Sequence, residues 1–319
     1  MLSRTIGKRL AQMIVVLLGV SFLASILVDL LPGDIARTIL GIQAPQGQVQ
    51  QLRAQLGLNR PILTRYIDWL GNFVRGNWGQ SLINKENVGT LIAQRAPVTI
   101  ELLIVAVIIA VALCVVLVTY ATIRAGGLLD RSLAAISAAT LSTPGFVVAL
   151  VLILVFAVHA RILPAIGFSP LSAGLGANLR TILLPAIALA ISLFGTYVRV
   201  LRADMAEQMA SEHVTVAWAK GLSRRRVVVS HVLRNSLLGL VTVIGVNLGL
   251  LIGGAVAIES IFALPGIGQL LVTSVTQKDA PVVQAVVVMT AIAVVVINLI
   301  TDLLYAVLDP RIRLGGARD

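Results

Sequence analysis

Residues 211–235 read SEHVTVAWAKGLSRRRVVVSHVLRN, a polar and basic segment between two long apolar segments. We call this segment the basic island. Within it, residues 212–220 are predicted to form a short helix. Apolar side chains recur there at the i, i+3, i+4 spacing that places them on one helix face, namely Val214, Ala217 and Trp218.

Gly221 is predicted to end this helix, because glycine adopts the left-handed backbone of a helix C-terminus without steric cost. Lys220 lies in the last turn, where a cation is favoured, and Ser223 fits the N-cap of a second helix. A short helix held at such a turn suits insertion into a groove on a partner protein. The alternative is a basic loop that rests on anionic lipid through the run 224–226, which is Arg-Arg-Arg.

The composition of the whole chain indicates a polytopic membrane protein. Of 319 residues, 58% are hydrophobic and only 12% are charged, against about 25% charged in soluble domains. The net charge of +11 is attributed to cytoplasmic loops rich in Lys and Arg rather than to nucleic-acid binding. The single cysteine, Cys114, forms neither an internal disulfide nor a multi-cysteine metal site.

The chain contains six apolar segments long enough to cross a bilayer, since each crossing needs about 20 residues. The first exceeds a signal-peptide core and is predicted to be retained. Prolines 97, 185 and 281 are expected near helix starts, Asp279 is a candidate N-cap, and Pro144-Gly145 predicts a kink in the third span. The predicted spans are residues 10–31, 98–123, 132–158, 181–201, 237–261 and 282–308.

Charge placement predicts that both termini lie in the cytoplasm, by the rule that cytoplasmic loops are rich in basic residues. This places 15 of the 25 Lys and Arg inside: Arg4, Lys8, Arg9, Arg124, Arg131, Arg199, Arg202, Lys220, Arg224, Arg225, Arg226, Arg234, Arg311, Arg313 and Arg318. The predicted organisation is a first span within 1–31, an outer segment 32–96, a membrane domain 97–309 containing a cytoplasmic loop 203–236, and a tail 310–319.

The outer segment 32–96 is expected to contain short amphipathic helices, at 48–58 with a stop at Gly57, and at 61–73. Trp69 and Trp78 suit the membrane interface. The pattern fits equally a surface cap on the first two spans and a docking surface for an external partner.

Several chemistries have no signature in this sequence. A P-loop motif and an H-E-x-x-H zinc motif do not occur, and His159, His213 and His231 are scattered. The acids of the spans lie near span ends rather than at mid-depth: Asp29, Glu101, Glu259 and Asp302. This argues against an ion-coupled secondary carrier, the hypothesis kept from another class. An intramembrane enzyme lacks a catalytic set, and no cofactor or metal site is expected. The chain is therefore predicted to be a permease driven by another subunit.

Short sequence blocks are spaced along nearly the whole chain. The outer segment carries one set: LPGD (31–34), LGLNRP (56–61) and RGNWGQS (75–81). The remainder of the chain carries the other set: AKGLSRRRVVVSHVLRN (219–235), IGGAVAIESIFALPGIGQLL (252–271), DAPVVQ (279–284) and NLITDLLYAVLDPRIR (298–313). Together these blocks resemble the first permease subunit of the dipeptide, oligopeptide and nickel importers, a family of ATP-binding-cassette (ABC) importers. Where the family commonly has proline after LPGD, this chain has Ile35.

The resemblance implies an all-α, type I ABC-importer membrane domain of the MetI-like kind with six transmembrane helices, in the cytoplasmic membrane of a prokaryote. The implied partners are a second homologous permease, two ATPase subunits, an extracytoplasmic solute-binding protein and membrane lipid. The expected cargo is a di- or oligopeptide, with nickel or glutathione as the alternatives.

By resemblance, residues 212–222 form the coupling helix that enters the ATPase groove. The family motif E-A-A-x-x-x-G aligns with Thr215, Val216, Ala217 and Gly221, so the glutamate is absent here. The expected coupling residues are Glu212, His213, Val214, Thr215, Ala217, Trp218, Lys220, Gly221 and Leu222. Small or polar residues of the third and fifth spans are candidates to line the pathway, the alternative being close helix packing: Ser142, Thr143, Gly145, Asn247, Gly249, Gly253 and Gly254.

Overall fold

The computed structural model describes residues 2–30, 34–41 and 43–308, and most of these residues are helical. Within these ranges the only β-type pairing is an isolated antiparallel bridge between Gln80 and Asn87. Residues 31–33 of the LPGD block and the predicted tail 310–319 lie outside the described residues, as do the side chains of Arg4, Lys8, Arg9, Asp29 and Asp302.

The helices are labelled in chain order. They are α1 Leu2–Leu30, α2 Ile35–Leu40, α3 Gln46–Gln55, α4 Ile62–Val74, α5 Val88–Ile123, α6 Leu128–Ser142, α7 Gly145–Leu152, α8 Leu175–Met209, α9 Glu212–Ala219, α10 Arg224–Val227, α11 Leu233–Phe262, α12 Ile267–Thr276 and α13 Ala280–Leu308. Two π-helical segments, Ile153–His159 and Val228–Val232, continue α7 and α10.

Within the described residues, four helical segments are long and apolar enough to cross a membrane. They are Val88–Ile123, Leu175–Met209, Arg224–Phe262 and Ala280–Thr301. The bent pair Leu128–Ser142 and Gly145–His159 makes a fifth if it is one span. The predicted first span is a helix of 29 residues, but its described apolar part, Gln12–Leu27, is shorter than a full span.

Helix α5 begins ten residues before the predicted boundary, and Pro97 lies inside it rather than in its first turn. The early start follows from Asn87, whose side-chain oxygen accepts hydrogen bonds from the N–H groups of Gly89 at 2.8 Å and Thr90 at 3.3 Å. These bonds satisfy backbone donors that a helix N-terminus otherwise leaves free. The polar segment before Pro97 is therefore helical, which an apolar pattern alone misses.

The break between α6 and α7 is larger than the predicted kink, since the two helices meet at 106°. Thr143 and Pro144 both have extended backbones, with ψ of 121° and 139°. Helical geometry is sterically disfavoured for the residue before a proline, which favours the interruption at Thr143.

Asp279 directly precedes α13, and Pro281 lies in the first turn as predicted. The Asp279 carbonyl accepts from the Val283 N–H at 3.0 Å, as the carbonyl of an N-cap residue does, while the bonds observed for its carboxylate go to the outer segment. The carboxylate is buried and accepts hydrogen bonds from the Ser81 hydroxyl and from the Leu82 N–H at 3.0 Å. This side chain therefore ties the outer segment to the start of α13.

The chain divides into two compact units, Met1–Thr99 with Pro265–Val295, and Ile100–Leu264 with Val296–Asp319. In the first unit, an apolar cluster joins the start of α5 to α12 and α13, and Phe73 and Trp78 pack against it. In the second unit, α8 packs against α6, α7 and α11. Gly195 allows a close crossing there, because a Cβ at this position would approach the Ser137 carbonyl oxygen to 2.9 Å. The Ser137 hydroxyl donates to the Gly195 carbonyl at 2.8 Å across the same crossing.

Candidate functional site

The basic island is a short connection between two long helices. Helix α8 continues to Met209 and α10 begins at Arg224, so the predicted loop 203–236 contains the last turns of α8, all of α9 and α10, and the start of α11. The run Arg224–Arg226 is the first turn of the helical segment that becomes α11.

Helix α9, Glu212–Ala219, ends as the sequence predicts, with Lys220 as C-cap and Gly221 at φ +75°. The Gly221 N–H donates to the Trp218 carbonyl at 2.8 Å, and the Leu222 N–H donates to the Ala217 carbonyl at 3.3 Å. This pair of bonds is the Schellman motif, which satisfies carbonyls that a helix end leaves free. The short helix is therefore firmly closed at its C-terminus.

Helix α9 buries only part of its predicted apolar stripe. Val214 and Ala217 are 1% and 4% exposed, whereas Trp218 is 44% exposed and Val216 is 53% exposed. Of the three residues on the predicted stripe, Val214 and Ala217 are thus covered by the chain itself, whereas Trp218 stays partly exposed. The sequence reasoning missed Val216 as an exposed apolar residue. Two large apolar side chains of α9, Val216 and Trp218, are therefore exposed, and they lie on different sides of the helix.

Polar contacts hold both ends of the island. His213 Nε2 lies 3.4 Å from the Ser211 hydroxyl and 3.4 Å from Asn235 Nδ2. Asn235 Nδ2 also donates to Gln208 Oε1 at 3.4 Å, so residues at the end of α8, in α9 and at the start of α11 form one cluster. Ser223 occupies the predicted N-cap position, but its side chain makes no capping hydrogen bond.

The first arginine of the run has a structural contact of its own. The Arg224 guanidinium donates to the Thr122 carbonyl at 3.1 Å, which satisfies an acceptor at the C-terminal end of α5. Nearby in the chain, Arg202 of α8 pairs with Asp130 of α6, with Nη2 and Oδ1 separated by 2.6 Å. Both contacts connect the helices that flank the island to neighbouring membrane helices.

A cavity of about 360 Å³ lies in the same unit, between α7, α8 and α11. Its walls are mainly apolar, with Ser192 and Asn247 as polar side chains. Ligand cavities commonly measure about 300–1,000 Å³ and combine apolar walls with a few polar groups. The size and lining are therefore compatible with a small-molecule passage or binding site.

The sequence candidates for the pathway divide into two groups. Asn247, Gly145 and Gly254 line the cavity. Ser142 and Thr143 lie outside its lining, and their hydroxyls donate to the carbonyls of Ala138 and Ala139 at 3.0 and 2.8 Å. Gly253 also stays outside the lining and faces open space.

Sequence reasoning missed the contribution of α8 to the cavity, which consists of Leu189, Ser192 and Leu193. These residues stand at i, i+3 and i+4, the spacing of one helix face, and this was the available signal. Among the described residues, no group of three or more His, Cys, Asp or Glu side chains is arranged to hold a metal ion.

The sequence is similar to known membrane transport proteins over nearly its full length. Residues 116–314 match the family described as "Binding-protein-dependent transport system inner membrane component", and residues 1–103 match its N-terminal component. A probable peptide ABC transporter permease protein of Sinorhizobium fredii is 35% identical over 306 residues, covering 96% of this chain and 98% of that protein. The oligopeptide transport system permease protein AppB of Bacillus subtilis is 34% identical over 308 residues, covering 96% and 98% respectively.

Proposed function

The chain belongs to the family of binding-protein-dependent transport system inner membrane components, and on this premise we propose that it is a permease subunit of an ATP-driven peptide importer. Peptide cargo is supported by relatives that are named as peptide and oligopeptide permeases and align over nearly the full length. The structural observation that carries the proposal is α9, a capped helix that exposes Val216 and Trp218 between two long helices.

In this proposal α9 is the coupling helix and inserts into a groove on an ATPase subunit. Val216 and Trp218 supply the apolar contact, and exposed Thr215 stands where the family motif has glutamate. The Schellman turn at the C-terminus of α9 fixes the direction in which the chain continues from α9 to α10. Because only two residues separate α8 from α9, a displacement of α9 is passed directly to a membrane helix.

Closure of the ATPases around ATP is the step that would move α9. The free energy comes from the tighter binding of ATP by the closed ATPase pair than by the open pair. The contacts of Arg224 with Thr122 and of Arg202 with Asp130 extend the displacement to α5 and α6. Helices α8 and α11 would then shift together, and they are two of the three helices that line the cavity.

We assign this cavity to one wall of the translocation pathway, with Asn247 and Ser192 as its polar groups. A second, homologous permease would supply the opposite wall. Helix α11 exposes Val246 and Leu250, at 58% and 73%, which suits an apolar contact with that subunit. Two ATPases and an extracytoplasmic solute-binding protein complete the proposed complex.

The protein is a multi-pass protein of the inner membrane. For its topology we propose six spans with both termini in the cytoplasm, formed by α1, α5, the bent pair α6–α7, α8, α10–α11 and α13. The outer segment then follows α1, and α9 faces the cytoplasm.

The coupling assignment is tested in the assembled transporter, reconstituted in liposomes with its ATPases and binding protein. Trp218→Ala and Val216→Ala are expected to lower both peptide uptake and the hydrolysis stimulated by the loaded binding protein, because each removes exposed apolar area from α9. Val229→Ala is the matched control, since Val229 is 45% exposed but lies outside α9. Equal effects of Val216→Ala and Val229→Ala would contradict the assignment.

The cargo is tested separately with the wild-type complex. Uptake of a labelled peptide delivered by the binding protein is expected to depend on ATP. ATP-dependent uptake of free Ni²⁺, or of glutathione without uptake of other peptides, would overturn peptide cargo while leaving the ATP-driven mechanism in place.

A further inference from the structure

Helix α4, Ile62–Val74, presents three different faces. At 100° per residue, one face carries aromatic side chains, a second carries aliphatic side chains, and a third is polar. The aromatic face includes Tyr66 and Phe73, the aliphatic face includes Ile67 and Val74, and the polar face includes Asn72. Each face has a different environment in the structure.

The aromatic face packs against the chain itself. The Tyr66 hydroxyl lies 2.8 Å from the Ser21 hydroxyl of α1, and the ring of Tyr66 meets that of Phe22 edge-on, with centroids 5.2 Å apart. Trp69 stacks on Phe73 at 5.0 Å, so the contact continues along the helix. These contacts fix which side of α4 faces α1.

The aliphatic face is largely exposed. Leu63 is 56% exposed, Ile67 is 59% exposed and Val74 is 78% exposed. These residues stand at i, i+4 and i+11 and form one continuous stripe. We call this set the α4 stripe. Thr64 and Asn72, which lie on the polar face, are also exposed.

The contact with α1 sets the depth of α4. Ser21 lies nine residues before Leu30, which corresponds to about 13 Å along the helix at 1.5 Å per residue. Half of a hydrocarbon core is about 15 Å. If α1 spans the membrane with its outer end near Leu30, a tyrosine side chain that reaches Ser21 therefore places α4 below that end, at the depth of the upper acyl chains.

Helix α1 itself exposes apolar residues at this depth, with Leu23 at 59% and Leu27 at 62%. If α1 spans the membrane, these side chains face lipid, and the α4 stripe lies at the same height. Arginines flank α4 at both ends, Arg60 and Arg75, and both are exposed. Aliphatic residues on one face with cations at the ends are typical of a helix that lies in the plane of a membrane surface.

We propose that α4 is an in-plane helix of the outer membrane interface, and that acyl chains of the outer leaflet cover the stripe formed by Leu63, Ile67 and Val74. The inference rests on the proposed function only through the topology, in which α1 spans the membrane with its outer end near Leu30. It assigns this part of the outer segment to lipid rather than to the solute-binding protein or the second permease.

Spin-label accessibility in the complete transporter tests the proposal. Cys114 is the single cysteine and is buried, so Cys114→Ala provides a background for single labels. Labels are placed at Ile67 and Val74 on the stripe, at Thr64 and Asn72 on the polar face, and at Leu23 of α1. The complex is reconstituted in phosphatidylcholine vesicles, and each variant is checked for peptide uptake. Collision rates are measured with oxygen, which concentrates in lipid, and with a water-soluble nickel chelate.

The expected result is a several-fold higher ratio of oxygen to chelate collisions at Ile67 and Val74 than at Thr64 and Asn72. Chelate access to Ile67 and Val74 equal to that at Thr64 would show that the stripe faces water and would overturn the proposal. Protection of both stripe positions from both reagents would also overturn it, because a protein partner would then cover the stripe. Chelate access at Leu23 would refute the topology itself, whereas retained peptide uptake would leave the transport function standing.

Discussion

Replacement of Gly221 by valine is expected to uncouple ATP hydrolysis from uptake. Gly221 has φ of +75°, and a Cβ built on it has no atom of another residue within 4 Å. The cost of a side chain is therefore conformational rather than a clash within this chain. The left-handed backbone costs an ordinary L-residue about 1–2 kcal/mol, and it is a genuine outlier for a β-branched residue. Asparagine tolerates this backbone and provides the matched control.

A change of about 1–2 kcal/mol lowers the population of the native turn relative to its alternatives by a factor of about 5–30. In Gly221→Val the Leu222 and Gly221 amide bonds that close α9 would form about 5–30-fold less favourably, so the direction of α9 would be held less strongly. Gly221→Asn is expected to keep most of the turn, because its side chain is compatible with positive φ and has open space around it.

The measurement is peptide uptake per ATP hydrolysed, in liposomes that contain the whole complex and a loaded binding protein. Gly221→Val is expected to lower this ratio several-fold, and Gly221→Asn to stay near the wild type. Normal coupling in Gly221→Val would refute the reasoning about the turn. Equal loss in the valine and asparagine variants would show that space at the ATPase surface, rather than the φ angle, decides coupling.

Three further changes have expected outcomes. Asp279→Ala leaves the Ser81 hydroxyl and a backbone N–H without their acceptor, so it should destabilise the complex by about 1–3 kcal/mol in a thermal melt, and the exposed Asp68→Asn serves as control. Gly195→Val should reduce the yield of folded complex on gel filtration, because even a Cβ there would approach the Ser137 carbonyl to 2.9 Å. Asn247→Leu should lower peptide uptake at unchanged thermal stability, since it removes a polar group from the cavity wall without breaking a core contact.

The sequence predicted the features that depend on neighbours along the chain. Helix α9 and its end at Gly221 follow from apolar spacing and from the backbone freedom of glycine, and both are found in the structure. The break at Pro144 is similarly local, because proline restricts the residue before it. Its size of 106° was beyond prediction, since the angle depends on how α6 and α7 pack against α8.

Helix ends and cavity walls were predicted less well, for a physical reason. The pattern of apolar residues indicates which part of a helix contacts lipid or the protein core. The helix itself can extend further, because its ends are set by backbone hydrogen bonds and caps. Asn87 therefore starts α5 well before Pro97, and α8 continues past its apolar part to Met209. The cavity unites residues from three helices, and Ser192 could be placed beside Asn247 only once the packing of α8 against α11 was known.

The arginine run shows why residue type alone cannot assign roles within the basic island. Arg224, Arg225 and Arg226 are adjacent and chemically identical, and all three are exposed. Yet Arg224 donates to the carbonyl of Thr122, 102 residues earlier in the chain, and so fastens the start of α10 to the end of α5. If the run acted only through its positive charge, the three arginines would be equivalent, whereas the contact with Thr122 is made by Arg224. Loss of Arg224 would therefore remove a contact between α5 and α10, the helix that follows α9, even though α9 itself contains no arginine.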